Sequence, residues 1–150
     1  MGGRGAGFWF LQVSGWALLC YLFYAQAISA FSYDLGVQMG TQESADQITE
    51  VGAAFWYGLA FGDLLVYMPL LAVGLVGLWL ESSWARVILG SALGITVYWP
   101  VVSLATVVAA RDADGWSLPK ETDYWIVLPV IVLWALWGLR WVASTARRGS

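Results

Sequence analysis

The chain has 150 residues, of which 60% are hydrophobic and 11% charged, and it is more apolar than a soluble domain, where the apolar share is about 45–50%. Its net charge of −3 excludes the basic surface that nucleic acid binding requires. With a single cysteine and no histidine, the chain lacks the usual ligands of zinc, haem and iron–sulfur groups, so we expect no metal and no cofactor.

Four apolar segments are long enough to cross a bilayer, because a hydrocarbon core of about 30 Å needs roughly 20 helical residues. They run approximately over residues 8–30, 52–80, 84–110 and 124–143. The sequence therefore predicts an all-α fold: one domain that forms an integral membrane four-helix bundle with up-down-up-down topology. A signal peptide is the alternative for the first segment, because Arg4 precedes an apolar run that ends in Ala25-Gln26-Ala27.

The connections between the spans predict their orientation. The first connection is acidic and includes Ser44 and Gln47 at capping-box spacing, which indicates that the second helix begins before it enters lipid. If four spans cross, five arginines near the ends of spans fall on one side, which the positive-inside rule assigns to the cytoplasm. These are Arg4, Arg86, Arg140, Arg147 and Arg148. We therefore expect a multi-pass protein of the cell membrane with both termini cytoplasmic and with loops 31–51 and 111–123 extracytoplasmic.

Asp63 is the most informative residue, because it lies within the second span. A charged side chain at the centre of a membrane helix costs about 2.5–3.5 kcal/mol on insertion scales, so a carboxylate there must face the bundle interior, find a partner or stay protonated. The functional hypothesis is a proton or cation site, or an anchor for the polar head of a ligand. The alternative is a structural carboxyl bonded to a Tyr, Trp or Ser of another helix.

Helical spacing places further polar and aromatic residues near Asp63. Trp56 and Tyr67 share its face of the second span, and Tyr67 is the expected first partner. On the third span, Thr96, Trp99 and Ser103 recur at helical spacing. If the two faces meet, they form a polar seam inside the bundle. In the alternative interpretation, the third-span hydroxyls only bond their own preceding carbonyls and help the helices to pack.

Two glycine pairs have the small-xxx-small spacing that allows close helix packing in lipid. They are Gly58 with Gly62, and Gly90 with Gly94. We expect them to pack within one chain, and an interface between copies is the alternative.

Prolines and a polar rim point to a cavity. Pro69, Pro100 and Pro129 each lie inside a different span, where a proline kinks the helix and can open space at mid-depth. The outer ends of the spans also collect polar and aromatic residues that would line an outward-facing vestibule or form an ordinary solvated rim. These are Gln26, Tyr33, Asp34, Glu50, Trp116, Asp123 and Tyr124.

These features predict a non-enzymatic, membrane-embedded binding or transport protein with its polar centre at Asp63. Its partners would be the lipid bilayer and a hydrophobic small molecule, a proton or a cation. One alternative is an accessory subunit that scaffolds a larger membrane complex through tryptophan-rich faces, or a homo-oligomer. The third hypothesis is a membrane-embedded lipid-modifying enzyme, which would need two carboxylates to converge at the outer boundary, and Glu50 with Asp123 is the candidate pair.

Overall fold

The computed structural model describes residues 4–146, and within that range the elements are helices. They are α1 (Ala6–Phe31), α2 (Tyr33–Gln38), α3 (Ala45–Trp79), α4 (Ala85–Ala110) and α5 (Glu121–Ala146). The four helices α1, α3, α4 and α5 are long and apolar enough to cross a membrane. The all-α class is thus confirmed, and the chain has the architecture of a multi-pass membrane protein. Arg147 and Arg148, which contribute to the predicted orientation, lie outside the described residues.

Helix α3 begins earlier than the predicted span, at Ala45, as the capping-box spacing indicates. The side-chain oxygen of Gln47 accepts a hydrogen bond from the Ser44 amide at 3.0 Å. The backbone then breaks at Thr49, which has φ 66° and ψ 164°, a conformation that is strained for a β-branched residue. The Thr49 hydroxyl accepts from the Gly52 amide at 3.3 Å and so caps the following segment. The apolar part of α3 therefore begins close to residue 52, as predicted.

The core lies where the long helices meet, and lipid-facing surface surrounds it. Helix α4 packs against both α3 and α5, and α1 packs against the C-terminal part of α3. The fully buried leucines of this core are Leu11, Leu22, Leu71, Leu75, Leu89 and Leu93. Large apolar side chains such as Val13, Leu65 and Leu133 are instead more than half exposed. In a bilayer, the hydrocarbon chains of lipid would cover these apolar faces, whereas in water the same faces would remain exposed to solvent.

Contacts near the helix ends show which segments lie together. At one end, the Arg4 guanidinium donates to the Trp79 carbonyl at 2.6 Å, and Gly7 lies against the indole of Trp141. At the other end, the Ser117 amide donates to the Gln47 carbonyl at 2.6 Å. Loops 31–51 and 111–123 of the sequence analysis are therefore joined directly.

Two π-helical turns interrupt the long helices at matching positions, and the sequence analysis did not predict them. One spans Phe23–Ala27 in α1 and the other Asp63–Tyr67 in α3, and the two turns contact each other. Pro69 has no amide hydrogen to donate to Leu65, and the Met68 amide donates to the Asp63 carbonyl five residues earlier. The region around Asp63 therefore differs from regular α-helix in both helices.

The predicted packing of the two glycine pairs within the chain is wrong. A Cβ atom added at Gly58, Gly62, Gly90 or Gly94 would meet nothing within 4 Å. Four-residue spacing fixes a shared helix face but not its direction, and here these faces point away from the neighbouring helices. The close approach lies at Gly74 instead, where a Cβ would come within 2.8 Å of the Leu89 Cα.

Candidate functional site

A cavity of about 360 Å³ lies among the four long helices, on the side of the core nearer the two joined loops. Tyr21, Asp63, Ser103 and Leu128 line it from α1, α3, α4 and α5 respectively. Its volume falls within the range of small-molecule sites, about 300–1,000 Å³. Four of the six predicted site residues line it, namely Trp56, Asp63, Trp99 and Ser103. The cavity also reaches residues 39–43 of the first loop and therefore extends from the loops down to Asp63.

Asp63 lies at the deep end of this cavity without a partner. It is 7% exposed and is the first residue of the π turn in α3. Within residues 4–146, no side chain forms a hydrogen bond with its carboxylate, and the ion pairs there are Arg4 with Glu81 and Arg111 with Glu121. The alternative interpretation was a structural carboxyl bonded to a Tyr, Trp or Ser, and within these residues no such bond is present. A buried carboxylate without a partner is costly, so water, a proton or a ligand must complete this site.

Three further polar atoms in the described part of the chain are buried and have no hydrogen-bond partner. They are Trp56 Nε1, Trp99 Nε1 and Ser103 Oγ. All three residues line the cavity, and Trp56 and Ser103 are 7% and 1% exposed. Most buried polar groups in proteins are paired with protein or with water, so water or a ligand in the cavity would bond these three groups. Sequence spacing placed these residues together but gave no sign that they lack partners.

The other two predicted site residues do not line the cavity. The hydroxyls of Tyr67 and Thr96 share a hydrogen bond at 2.6 Å, and both residues are buried. The Thr96 hydroxyl also donates to the Ala92 carbonyl at 2.8 Å. This bond ties α3 to α4, so the Tyr67 hydroxyl is occupied by Thr96 and not by Asp63. Back-bonding to a preceding carbonyl, the alternative weighed for the third-span hydroxyls, is present at Thr96 and also at Thr106.

The loop end of the cavity carries charged groups and a fixed loop. Glu43, Lys120 and Asp123 line it there. The Tyr124 hydroxyl donates to the Glu43 carboxylate at 2.8 Å, and the Tyr33 hydroxyl donates to the Glu43 carbonyl at 2.9 Å. Burial raises the pKa of the Tyr33 phenol to about 12, with the Glu43 carboxylate adding to the effect, so this phenol stays protonated and remains a donor. The two tyrosines thus hold Glu43 at the entrance.

Part of the predicted vestibule lines the cavity. Gln26, Asp123 and Tyr124 do so, whereas Tyr33, Asp34, Glu50 and Trp116 do not. Asp123 therefore lines the cavity without Glu50, which is exposed. The pair of carboxylates that the enzyme hypothesis needs is not brought together in this cavity.

The sequence analysis missed two kinds of residue. Tyr21 and Tyr24 add aromatic walls from α1, and their three-residue spacing on one helix face was the available signal. Gln12 is 2% exposed, but its amide donates to the Leu75 carbonyl at 2.9 Å and its oxygen accepts from the Trp16 indole at 3.0 Å. With both ends bonded, Gln12 joins α1 to α3 and belongs to the packing of the helices.

Comparison with protein families, with curated proteins and with solved structures found no match for this chain. Function is therefore inferred from its own geometry.

Proposed function

We propose that this chain is a multi-pass protein of the cell membrane that binds a small solute inside the bilayer for transport, with Asp63 as the anchoring group. One observation carries the proposal: an unpaired buried carboxylate and three unpaired buried polar atoms line a single cavity. Cavities with a few convergent polar groups and mostly apolar or aromatic walls are the usual form of ligand sites.

The contacts at the two helix ends support the up-down-up-down bundle with cytoplasmic termini. Arg4 contacts Trp79, so the start of α1 and the end of α3 lie together, and Gly7 against Trp141 adds the end of α5 to the same group. Arg86 lies in the first turn of α4, directly after the short loop from α3. With these arginines on the cytoplasmic side, the positive-inside rule puts the joined loops and the entrance of the cavity outside the cell.

Closure of the cavity beyond Asp63 is consistent with a binding step that precedes translocation. Beyond Asp63 towards the other end of α3, Tyr67, Leu71 and Leu75 are at most 1% exposed. These side chains close the path below the carboxylate. A solute that reaches Asp63 from outside therefore passes further only if the helices rearrange.

A thermal-stability screen tests the proposal. Purified wild-type protein and Asp63→Asn are heated in nanodiscs with cationic, anionic and neutral small molecules, because a ligand that binds only the folded state raises the melting temperature. We expect at least one class of compound to stabilise the wild type and not Asp63→Asn. Glu50→Gln, which removes an exposed carboxylate outside the cavity, serves as the control and should respond like the wild type. Identical responses of the wild type and Asp63→Asn to every compound would show that Asp63 is structural.

The scaffolding hypothesis has no observation that favours it over the solute-binding one. The exposed apolar and aromatic faces that would contact partner helices are equally the faces that lipid would contact.

A further inference from the structure

We infer that the solute is a monovalent organic cation of the ammonium type that also carries a hydrogen-bond acceptor. This inference depends on the proposed function, because it names the class of solute that the cavity around Asp63 would bind.

The charges of the cavity favour a cation. Asp63, Glu43 and Asp123 line it with three carboxylates, against one amine at Lys120. Lys120 is exposed at the loop end, and Asp63 forms no ion pair within residues 4–146. The deep end therefore presents a carboxylate that no group of the described chain neutralises, in surroundings where low dielectric strengthens its attraction for a positive charge.

The walls favour an organic cation over a metal ion. Tyr21, Tyr24, Trp56, Trp99 and Tyr124 all line the cavity. The ring centroids of Trp56 and Tyr124 lie 6.2 Å apart at an interplanar angle of 46°, so these two rings pack against each other where they line the cavity. Aromatic faces attract alkylammonium groups, and cages of this kind are the usual means of binding them. A small inorganic ion would instead need a shell of several oxygen ligands and would leave the rings unused.

The unpaired donors add the second part of the ligand. An indole N–H can only donate a hydrogen bond, and two indoles, those of Trp56 and Trp99, are unpaired. The Ser103 hydroxyl beside them is also free to donate. A ligand oxygen would satisfy these groups while the ammonium lies against Asp63 and the rings.

Three chemical probes separate the contributions of charge and acceptor. Butyrylcholine has a quaternary ammonium and an ester carbonyl, its neutral isostere 3,3-dimethylbutyl butyrate keeps the shape and the ester, and heptyltrimethylammonium keeps the charge and loses the ester. Binding is measured on protein in nanodiscs, with protein-free nanodiscs to subtract partition into lipid. We expect the affinity for butyrylcholine to exceed that for the neutral isostere by about tenfold or more, because only the cation interacts with the charge of Asp63 and with the ring faces.

Variants identify the groups responsible. Asp63→Asn should weaken butyrylcholine about tenfold and leave the neutral isostere unchanged, whereas Asp63→Glu, which keeps the charge, should retain most of the affinity. Trp56→Phe removes the indole N–H and keeps a ring with a weaker attraction for cations, so it should weaken butyrylcholine more than heptyltrimethylammonium, which has no acceptor to lose. Glu50→Gln is the control for a carboxylate outside the cavity, and size-exclusion profiles verify that each variant folds.

The outcomes distinguish this inference from the proposed function. Equal binding of butyrylcholine and its neutral isostere, or equal binding of butyrylcholine by wild type and Asp63→Asn, would overturn the organic-cation inference. Absence of butyrylcholine binding would also overturn it. If the stability screen then found an anionic or neutral class of compound that stabilises the wild type and not Asp63→Asn, the proposed function would stand with a different solute. If no class of compound distinguished the wild type from Asp63→Asn, both the proposed function and the organic-cation inference would be wrong.

Discussion

The buried polar side chains fall into two groups that differ in their hydrogen bonding. Gln12, Tyr67 and Thr96 are bonded to other helices or to backbone carbonyls. Asp63 and Ser103 have no partner within residues 4–146, and both line the cavity. The bonded group stabilises the contacts between helices, and the unpaired group defines the site. Residue type alone does not make this distinction, because both groups contain hydroxyls.

Thiol labelling tests whether the cavity gives water-borne reagents access to Asp63. In a Cys20→Ser background, which removes the single native thiol, we expect Asp63→Cys to react with a membrane-impermeant cationic methanethiosulfonate, because residue 63 lines the cavity. Leu71→Cys is the control, since Leu71 is 0% exposed and lies beyond the closed end. Mass spectrometry of intact vesicles gives the labelled fraction. Similar labelling of both positions, or of neither, would contradict the described cavity.

The hydrogen bond between Tyr67 and Thr96 should have a measurable effect on stability. Tyr67→Phe removes one buried bond between α3 and α4 while Thr96 keeps its bond to Ala92, so the free energy of unfolding should fall by about 0.5–1.5 kcal/mol. Denaturation of detergent-solubilised protein measures the change. Tyr98→Phe provides the matched control, because Tyr98 is 65% exposed and should tolerate the loss of its hydroxyl. Equal stability of the two variants would show that the buried bond contributes nothing.

The lengths of the apolar segments predicted the bounds of the helices well. The spacing of the glycines predicted poorly which helix faces contact each other. Span length is a count of apolar residues, so the ends of α4 at Ala85 and Ala110 were close to the prediction. The direction of a helix face depends on its neighbours, and the glycine pairs were therefore assigned wrongly. The π turns at 23–27 and 63–67 were missed because one additional residue in a turn leaves composition and length almost unchanged.

Two alanine substitutions test the packing of α3. Gly74→Ala should lower the free energy of unfolding by about 1–3 kcal/mol, because the new methyl group would lie 2.8 Å from the Leu89 Cα and would force α3 and α4 apart. Gly58→Ala meets nothing within 4 Å and should be neutral or slightly stabilising, since alanine is the better helix former. Thermal denaturation compares the two variants. If Gly58→Ala proved the more damaging substitution, the described helix contact would be wrong, or the Gly58 face would pack against another copy.

For the whole molecule, sequence predicted which residues could form a site but not which of them meet the cavity. Helical spacing grouped Trp56, Asp63, Trp99 and Ser103 with Tyr67 and Thr96 as one seam. In the structure, Trp56, Asp63, Trp99 and Ser103 line the cavity, whereas Tyr67 and Thr96 form a hydrogen bond with each other. That division depends on where α3 and α4 separate and where they touch, which is a property of all the helices together.

Single cysteines test the proposed orientation of the whole molecule. In the Cys20→Ser background, Asp114→Cys in the third loop should react with an impermeant maleimide on intact cells, whereas Ser83→Cys in the short loop should react only after permeabilisation. The expectation follows from the arginines that lie at the end of the molecule opposite the joined loops. The reverse pattern would invert the orientation, and reaction of both cysteines on intact cells would exclude the four-span topology.

The paired π turns make the geometry of the cavity depend on chain length as well as on residue type. Each residue of a regular helix advances the chain by about 100° around the axis. Deletion of one residue between Trp56 and Asp63 would therefore rotate Trp56 by about that angle relative to Leu71 and carry its indole out of the cavity. A π turn instead holds one residue more than an α turn, so a deletion between Asp63 and Tyr67 would restore a regular α turn and leave Trp56 and Leu71 on their faces of the helix. The two turns are thus the places where these helices can lose a residue and still present the same side chains to the cavity.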